Sequence, residues 1–583
     1  MNCSATRFLG TLALGLLLIA PALGHSGCDA MTGIDELTFG RGVDSFCGPD
    51  HPCPDGTYCE LTDGRCQPQQ DDATQCALDA ECRSGRCRQG FCCNGPCNTI
   101  CAACDLPGSE GYCSVVPPGE DPHGHCTGTT ACGADGWCEG RCLWSLSGGD
   151  SGPDLAVDVA IDGQDEIFIV GTFEGTLNLG DTPLNSVGDR DVFLAKLTSN
   201  GETLWSQSFG SPAADQAAAV AVDHDGNVIV AANFAGPVTL DKPYPTVDGV
   251  DAFIIKLDGE GELLTTSWLR LDNDLFAVTE ATDVAVDPEG NVIATGHYTM
   301  GIQYGSDAAL LSASPYANVF VVKLDTTLGS TVWSQELGGG DTFAVQGGAV
   351  AVGGSEFIIL SLVGQGAVGS ANNTTLNGST VDDDLYLLRL AASGLTEWGL
   401  LFDGEGDQHS GGLAVDLGPD ESTTSIWLTG TFADELTIPT GDDFTSEDDQ
   451  DGFYVQLDLS GTPRASGALA GPFDEVPQAV TIDQEGNAII VGHFELALEA
   501  TEDEAIYAAG GTDLFLVKLD WQAQHTWARP FGGVLHDGAT SIATDSGGNL
   551  VVVGHFEHAL NLGCGATLEA VGDSDFFIAK LAP

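Results

Sequence analysis

Basic residues are scarce in this chain. Its 583 residues include 18 Lys and Arg against 85 Asp and Glu, which gives a formal net charge of −67. Proteins that bind DNA or RNA neutralise phosphates with Lys and Arg, so the deficit excludes nucleic acid as a natural partner. It also argues against attraction to anionic membrane surfaces. The excess of acids leaves two interpretations open, which are high solubility and the binding of divalent cations.

Long apolar runs are missing too, except near the start of the chain. Arg7 precedes an apolar run over residues 8–23, and small residues follow it. We expect a signal peptide over residues 1–24, because the run is short for a bilayer span and ends in a typical cleavage context. No later segment is long and apolar enough to span a membrane. The mature protein should therefore be soluble or lipid-anchored.

Cys28 is a candidate for the lipid anchor. Ser26 and Gly27 before it fit a bacterial lipoprotein signal, whereas His25 does not. Eighteen cysteines lie from Cys28 to Cys142, and Cys564 stands alone later. Either the first eighteen pair among themselves and Cys564 is free, or Cys28 is lipidated and the pairing closes differently.

Residues 47–142 hold 17 cysteines and few large apolar residues, after a spacer over residues 25–46. Such a segment cannot stabilise itself by core burial, so in an exported chain we expect disulfides, with zinc or a redox pair at Cys101 and Cys104 as the alternatives. The cysteine spacing over residues 76–142 resembles the Dickkopf-like cysteine-rich segments of myxobacterial surface proteins. The connectivity does not follow from the sequence.

Seven copies of one heptapeptide run through residues 143–583. DVFLAKL at 191–197 returns as DAFIIKL at 251–257 and NVFVVKL at 318–324. Later copies begin at Asp384, Asp451, Asp513 and Asp575. The copies are 60 to 67 residues apart. A period this long is typical of a repeat architecture.

Each copy contains four short strand patterns separated by turns of Asp, Gly and Asn. Their near-continuous apolar runs, such as residues 228–234, predict strands that are covered on both faces. We therefore predict an all-β fold, a seven-bladed β-propeller of four-stranded antiparallel blades over residues 143–583, preceded by the disulfide-rich segment. A β-solenoid is the alternative, although its repeats are usually shorter.

The repeat resembles the SBBP-type β-propeller repeat. The resemblance rests on Asp-x-Phe-x-x-Lys-Leu, Gly201 with Trp205, Phe209-Gly210, and Val222-Asp223 before Gly226-Asn227. It covers about three-quarters of the chain and implies an exported bacterial propeller without an assigned catalytic set. We therefore expect a location at the bacterial cell surface or outer membrane, or outside the cell. Copies four and five depart from the pattern, because Gly353 replaces an Asp and Arg389 and Gln456 replace Lys.

Two registers of the repeat carry opposite charges. The cations are Lys196, Lys256, Lys323, Arg389, Lys518 and Lys580. The strand-end acids are Asp162, Asp223, Asp287, Asp416, Asp483 and Asp545. A buried cation is costly unless it is paired, so we expect structural ion pairs rather than a functional ring. The Asp-x-Asp-Gly-Asn turn that starts at Asp223 has Phe234 at its twelfth position, which favours a hairpin turn over a calcium loop.

Three histidines share one register at the end of the second strand, namely His297, His493 and His555. Two of them belong to neighbouring copies and could approach each other. Thr or Asn holds the same register elsewhere, which favours a polar strand-end residue over a metal site.

Acids concentrate in three connections of copies four and five, at residues 382–384, 403–407 and 442–451. In antiparallel blades these connections emerge on one face. They form either a solvated rim or a weak calcium site. The candidate calcium ligands are Asp383, Asp407, Asp442, Asp443, Asp448, Asp449 and Asp451. Calcium is the one cofactor that we predict.

The sequence has no nucleophile elbow, phosphate loop or His-Glu-x-x-His motif, so it nominates no catalytic residue. We expect an exported, non-catalytic binding or scaffold protein whose partner is an extracellular protein or glycan. The alternative is an extracellular enzyme that acts on glycans or peptides with acids of the propeller face. Two carboxylates facing a deep pocket, one of them with a raised pKa, would favour the enzyme.

The last copy ends before its fourth strand, whereas a Trp-containing strand at residues 143–146 precedes the first copy. We predict that residues 143–146 pair with residues 575–581 and close the ring, because pairing removes an open sheet edge.

Overall fold

The computed structural model describes most of the repeat region and short pieces of the N-terminal region. The described residues are 141–583, without 181, 246–248, 271–277, 305–309, 312–315, 339–343, 370–374, 419–422 and 502–503, together with 57–60, 65–68, 82, 87–88, 91–92, 102–103 and 114–115. They contain strands and turns and no helix, so none of them lies in a helix that could cross a membrane. The predicted signal peptide, the spacer and Cys28 lie outside them.

The chain separates into two compact units. The described N-terminal strands are Thr57–Glu60, Arg65–Pro68, Cys87–Arg88, Phe91–Cys92, Ala102–Ala103 and Ser114–Val115. The first two strands pair with each other, as do the third and fourth. A disulfide joins the buried Cys82 and Cys92, as expected for this region.

The second unit is a seven-bladed β-propeller of four-stranded antiparallel sheets, as predicted. The first strands are Leu155–Ile161, Gln216–Val222, Thr279–Val286, Val345–Gly353, Gln408–Asp416, Glu475–Ile482 and Asp537–Thr544. The second strands are Ile167–Phe173, Val228–Phe234, Val292–Tyr298, Phe357–Gly364, Ser425–Thr437, Ala488–Thr501 and Leu550–Phe556. The third strands are Asp191–Leu197, Asp251–Leu257, Asn318–Leu324, Asp384–Ala391, Asp443–Leu457, Glu504–Leu519 and Asp575–Leu581. The fourth strands are Thr203–Phe209, Leu263–Arg270, Thr331–Leu337, Thr396–Phe402, Pro463–Leu469, His525–Phe531 and Cys142–Gly148.

The first strands form the inner circle, where each contacts the first strands of both neighbouring blades and blade 7 contacts blade 1. Connections between second and third strands emerge on one face, here called the loop face. They carry short hairpin strands at Thr176–Leu177, Leu184–Asn185, Val238–Thr239, Pro243–Tyr244, Gly301–Tyr304, Leu310–Leu311, Ala367–Gly369, Thr375–Asn377, Ala559–Leu560 and Leu568–Glu569. In blades 5 and 6 the second and third strands themselves run on into long hairpins.

The core consists of seven apolar layers, one between each pair of neighbouring blades. In blade 2, Ile229 packs towards blade 3 whereas Val228 and Val230 pack towards blade 1. Alternate residues of one strand therefore serve two different layers. This explains why the second and third strands are apolar at nearly every position.

The termini of the propeller close the ring as predicted. The strand Cys142–Gly148 pairs antiparallel with Asp575–Leu581 and completes blade 7. A disulfide between Cys142 and Cys564 joins this strand to the same blade. Of the two alternatives for the cysteines, the one in which Cys564 is free while Cys28 to Cys142 pair among themselves is therefore wrong. Cys142 reaches Cys564 because the closing strand, which begins at Cys142, lies in blade 7 beside the loop that contains Cys564.

Four of the blades also hold the next one through a turn. Indole N–H groups donate to turn carbonyls of the following blade in the pairs Trp144 to Ser199, Trp205 to Gly259, Trp333 to Ala392 and Trp398 to Leu459, at 2.9–3.1 Å. The turn glycine lies against that indole, and a Cβ at Gly394 would come within 2.7 Å of Trp333. Gly394 has a φ of +85°, which favours glycine. The Gly and Trp marks of the repeat therefore belong to one contact between blades.

Candidate functional site

A channel of about 490 Å³ runs through the centre of the propeller. Every first strand has a β-bulge at the same level of the channel. The residues at the bulges line the channel, and they are Asp158, Ala219, Asp283, Ala349, Gly412, Ala479 and Ser541. Because a bulge frees backbone N–H groups from the ladder, this level needs acceptors.

Asp158 supplies such acceptors in blade 1. Its carboxylate accepts hydrogen bonds from the N–H groups of Val159 and Val220, both at 2.8 Å, and from the hydroxyl of Ser541 at 2.6 Å. These donors belong to blades 1, 2 and 7. Burial raises the pKa of Asp158 against the effect of these bonds. The residue therefore joins three blades at the channel wall.

Asp283 does the same in blade 3. Its carboxylate accepts from the N–H groups of Val284 and Val350, both at 2.7 Å. Burial raises the pKa of Asp283 to about 7, and the charge of Asp158 contributes to this shift. One of the two channel acids can therefore carry a proton near neutral pH.

Asp158 and Asp283 form the kind of carboxylate pair that we expected of an enzyme. Each of their oxygens, however, already accepts a hydrogen bond, and each carboxylate accepts one of them from the next blade, Asp158 from Val220 and Asp283 from Val350. The described channel lining includes no His, Cys, Lys or Arg. The channel offers carboxylic acids and the hydroxyl of Ser541, and these groups already form hydrogen bonds at the bulges.

A smaller pocket of about 260 Å³ lies between blades 5 and 6. Its polar lining residues are His409, Ser410, Thr431, Gln450 and Gln478. Hydroxyl, amide and imidazole groups can orient a polar ligand through hydrogen bonds. The pocket lies beside the channel, because Gly411 and Gln478 line both.

The predicted ion pairs between Lys and the strand-end Asp are confirmed. They join Lys256 to Asp223, Lys323 to Asp287, Lys518 to Asp483 and Lys580 to Asp545, at 2.6–3.1 Å. Lys196 pairs instead with Glu166, and Asp162 accepts backbone N–H groups of its own turn. The lysines also donate to turn carbonyls of the next blade, as Lys256 does to Thr326 at 2.9 Å. These cations hold blades together.

The Asp-x-Asp-Gly-Asn turns are hairpins, as predicted. Asp223 accepts from the N–H groups of Asp225 and Asn227 and from the Asn227 amide, while Gly226 has a φ of +80°. Both acceptor oxygens of Asp223 therefore serve the turn and the ion pair with Lys256.

Blades 4 and 5, in which Arg389 and Gln456 replace the Lys, accommodate the replacement differently. In blade 4 a Cβ at Gly353 would collide with Phe357, and Arg389 lies over that ring and pairs with Glu397 at 2.8 Å. In blade 5 the amide of Gln456 donates to the carbonyl of Trp521 at 3.0 Å, which reproduces the bond of Lys to the next blade.

The three aligned histidines do not assemble into one site. His297 contacts Glu280 at 3.3 Å. His493 and His555 are neighbours across blades 6 and 7, and burial followed by the effect of His555 lowers the pKa of His493 to about 4. Burial also lowers the pKa of His555. Neutral imidazoles packed at strand ends agree with the predicted structural role.

The acidic connections of blades 4 and 5 meet on the loop face, as predicted. The N–H of Asp383 donates to the carboxylate of Asp407 at 2.9 Å, and the N–H of Gln408 donates to the carbonyl of Asp383 at 2.7 Å. Asp403 forms a bridge with Thr437 in the blade 5 hairpin. Asp383 and Asp407 therefore lie in direct contact.

The other predicted calcium ligands are distributed along the blade 5 hairpin. Asp442 and Asp443 are exposed at its tip, opposite Thr437. Asp451 lies at its base, opposite Phe432, where it is 5% exposed. The side chains of Asp448 and Asp449 lie outside the described part of the structure. The calcium hypothesis for this set stays a prediction.

Sequence reasoning missed a second set of acids at the blade junctions. The first residue of the heptapeptide faces an acid of the next blade in four pairs, which are Asp191 with Asp215, Asp451 with Glu475, Asp513 with Asp537 and Asp575 with Asp154. All eight are buried. The sequence signal was the Asp that opens six of the seven heptapeptides, together with the acid at residue 154, 215, 475 or 537.

Burial is the first cause that raises the pKa in seven of these carboxyls, which are those of Asp154, Asp191, Asp215, Glu475, Asp513, Asp537 and Asp575. The pKa rises to about 7 at Asp154 and Asp537 and to about 6 at Asp215. Among the described residues, no group of three or more His, Cys, Asp or Glu side chains has an arrangement that would hold a metal ion.

No family model matches the chain. An uncharacterized WD repeat-containing protein of Acanthamoeba polyphaga mimivirus is 22% identical over 507 residues, a match that covers 75% of this chain and 33% of that protein. The chain thus spans about a third of the length of this relative.

Similar solved structures include a quinohemoprotein alcohol dehydrogenase of Pseudomonas putida HK5, at 10% identity and a TM-score of 0.36, with 76% of each chain covered. They also include a mutant of the Synechocystis apocarotenoid oxygenase, at 13% identity and a TM-score of 0.35, with 74% of this chain and 94% of that chain covered. The chain is a seven-bladed β-propeller with a WD-repeat-containing relative.

Proposed function

We propose that this protein is an exported, non-catalytic binding or scaffold protein of a bacterial surface, and that the loop face of blades 5 to 7 binds an extracellular protein or glycan. The observation that carries the proposal is the contrast between the channel and this face. The channel acids are engaged in hydrogen bonds between strands, whereas the loop face exposes apolar and acidic side chains.

The blade 6 hairpin, described over residues 495–501 and 504–512, exposes apolar side chains on that face. Leu496 is 53% exposed and Tyr507 is 69% exposed. Gly471 lies against the carbonyl of Ala497, which brings the exposed Phe473 beside the hairpin. Exposed aromatic and aliphatic side chains rimmed by polar groups are typical of binding surfaces.

The polar pocket between blades 5 and 6 adjoins this surface. Gln450 of its lining lies in the blade 5 hairpin, and Val476 pairs with His493 near the base of the blade 6 hairpin. Its amides and hydroxyls match the hydroxyl groups of a sugar, which supports a glycan as one class of partner.

Cysteine parity supports a lipid anchor at Cys28. With Cys142 paired to Cys564, sixteen cysteines remain in residues 47–138, an even number. If those sixteen pair among themselves, Cys28 is left over, and a lipidated cysteine needs no partner. The anchor, the SBBP-type repeat and the Dickkopf-like segment together favour a surface location.

Binding to a glycan array and to isolated cell envelopes tests this function. We expect binding that a double variant, Leu496→Ser with Tyr507→Ser, weakens at least tenfold. Leu264→Ser is the matched control, because Leu264 is equally exposed on an outer strand of blade 2. Equal binding by all three proteins would contradict the proposed surface.

The enzyme remains the second candidate, because Asp283 has a pKa near neutral in a channel. A screen against glycan and peptide substrates decides between the two. Turnover that Asp283→Asn abolishes, while binding is unchanged, would replace the scaffold with a hydrolase.

A further inference from the structure

The junction of blades 5 and 6 differs from the other three acid pairs in one residue. Glu475 stands where blades 1, 2 and 7 have Asp154, Asp215 and Asp537. The added methylene carries the carboxylate further into the junction, towards Asp451. The hydrogen bonds of Glu475 differ from those of the aspartates at the same position.

Asp537 shows the usual arrangement. Its two oxygens accept from the N–H of Gly533 at 2.5 Å and from the N–H of Glu557 at 3.2 Å. Asp154 accepts in the same way from the N–H groups of Asp150 and Glu174. An aspartate here is therefore a cap for two loops.

Glu475 makes neither bond. The N–H of Glu495 donates to the carbonyl of Asp474 at 3.0 Å, as the N–H of Glu557 does to that of His536, but it makes no second bond to the carboxylate of Glu475. Both carboxylate oxygens of Glu475 are buried without a hydrogen-bond partner, and the residue is 0% exposed. A buried carboxylate without donors is costly unless a cation or a proton satisfies it.

Other oxygens converge on the same place. A Cβ at Gly471 would lie 2.2 Å from Oε1 of Glu475 and 2.1 Å from the carbonyl oxygen of Ala497, so both oxygens face the space beside Gly471. Asp451 faces Glu475, and Asp474 and Glu499 add negative charge nearby.

We propose that Glu475 and Asp451 bind a divalent cation at the junction of blades 5 and 6, with the Ala497 carbonyl and water as further ligands. Calcium suits the site best, because it accepts carboxylate, carbonyl and water oxygens in irregular geometry, whereas magnesium demands near-octahedral geometry. The site has two acidic side chains and a carbonyl, which is fewer acidic ligands than the three that a preformed metal site would have. The inference does not depend on the proposed function.

Calorimetric titration of the EDTA-stripped full chain with calcium chloride tests the site. We expect the wild type to bind one more calcium ion than Glu475→Gln, with a dissociation constant of roughly 10⁻⁴–10⁻³ M, the range of extracellular calcium modules. Calcium should also raise the melting temperature of the wild type more than that of the variant. In EDTA, Glu475→Gln should melt at or above the wild type, because the amide replaces a buried carboxyl that then has neither a cation nor a hydrogen-bond donor.

Two further variants keep the test decisive. Asp537→Asn should melt at a lower temperature with or without calcium yet titrate like the wild type, because Asp537 is a structural cap. Glu475→Asp should fold through the caps used in blades 1, 2 and 7 and lose the calcium ion, which covers the case in which the amide variant does not fold.

Equal calcium stoichiometry in the wild type and both Glu475 variants would overturn the proposal. So would a wild type that releases no heat and shows no thermal shift, since a shared proton would then be what satisfies the two carboxylates.

Discussion

Loss of the Cys142–Cys564 disulfide should destabilise the propeller by opening its closure. The bridge joins residues 422 apart in sequence. A chain-entropy relation gives about 6 kcal/mol for a loop of that length, and measured bridges deliver about 2–4 kcal/mol. Unfolding entropy of about 2.1 cal/mol/K per residue amounts to about 0.9 kcal/mol/K for the propeller. The double variant Cys142→Ser with Cys564→Ser should therefore melt about 2–4 °C lower, and no more than about 7 °C lower.

Differential scanning calorimetry of the oxidised full chain measures this shift. The control is Cys82→Ser with Cys92→Ser, which removes a bridge across only 10 residues of the other unit and should leave the propeller transition in place. Hydrogen exchange should show earlier opening of the strand Cys142–Gly148 in the propeller variant, since β-ladder bonds alone then hold it. An unchanged propeller transition, with the bridge verified by mass spectrometry in the wild type, would refute the reasoning.

Three other perturbations test the contacts between blades. Burial raises the pKa of Asp537 from 3.8 to about 7, so the folded state keeps this proton to higher pH than the unfolded chain does. The free energy of unfolding should therefore fall as pH rises from about 4 to 7, by up to about 1.4 kcal/mol per pH unit for such a group. The melting temperature should be higher at pH 5 than at pH 8, and its dependence on pH should be shallower in Asp537→Asn. Lys256→Met should lower the free energy of unfolding, measured in urea, by about 3–5 kcal/mol, because it leaves Asp223 buried and without its ion pair. Lys256→Gln should lower it less, because the amide can still donate to the next blade, as Gln456 does in blade 5. Gly394→Ala should cost about 1–2 kcal/mol for its positive φ alone and shift the fluorescence of Trp333; equal stability would show that the turn relaxes freely.

The fold was predictable because its signals repeat. Seven copies of the heptapeptide gave the blade number, and Trp144 before the first copy gave the closure. The ion pair of Lys256 with Asp223 was predictable for the same reason, since a cation in an apolar strand requires a partner.

The site was harder to predict, because its residues depart from the repeat or act across blades. Asp283 replaces an alanine of blade 2 at a bulge, and a bulge leaves no clear mark in the sequence. Glu475 looks like any other acid until its missing hydrogen bonds are compared with those of Asp537. Acids in the loops of blades 4 and 5 drew attention by their density, although density says little about geometry.

The Cys142–Cys564 bridge also sets an order of events in time. Synthesis runs from the N-terminus, so Cys142 leaves the ribosome 422 residues before its partner. At an elongation rate of about 5–20 residues per second, it waits roughly 20–80 seconds. Throughout that interval it stands immediately after a segment with sixteen other cysteines. Correct oxidation therefore requires that Cys142 stay reduced, or exchange out of temporary pairings, until the last blade has been made.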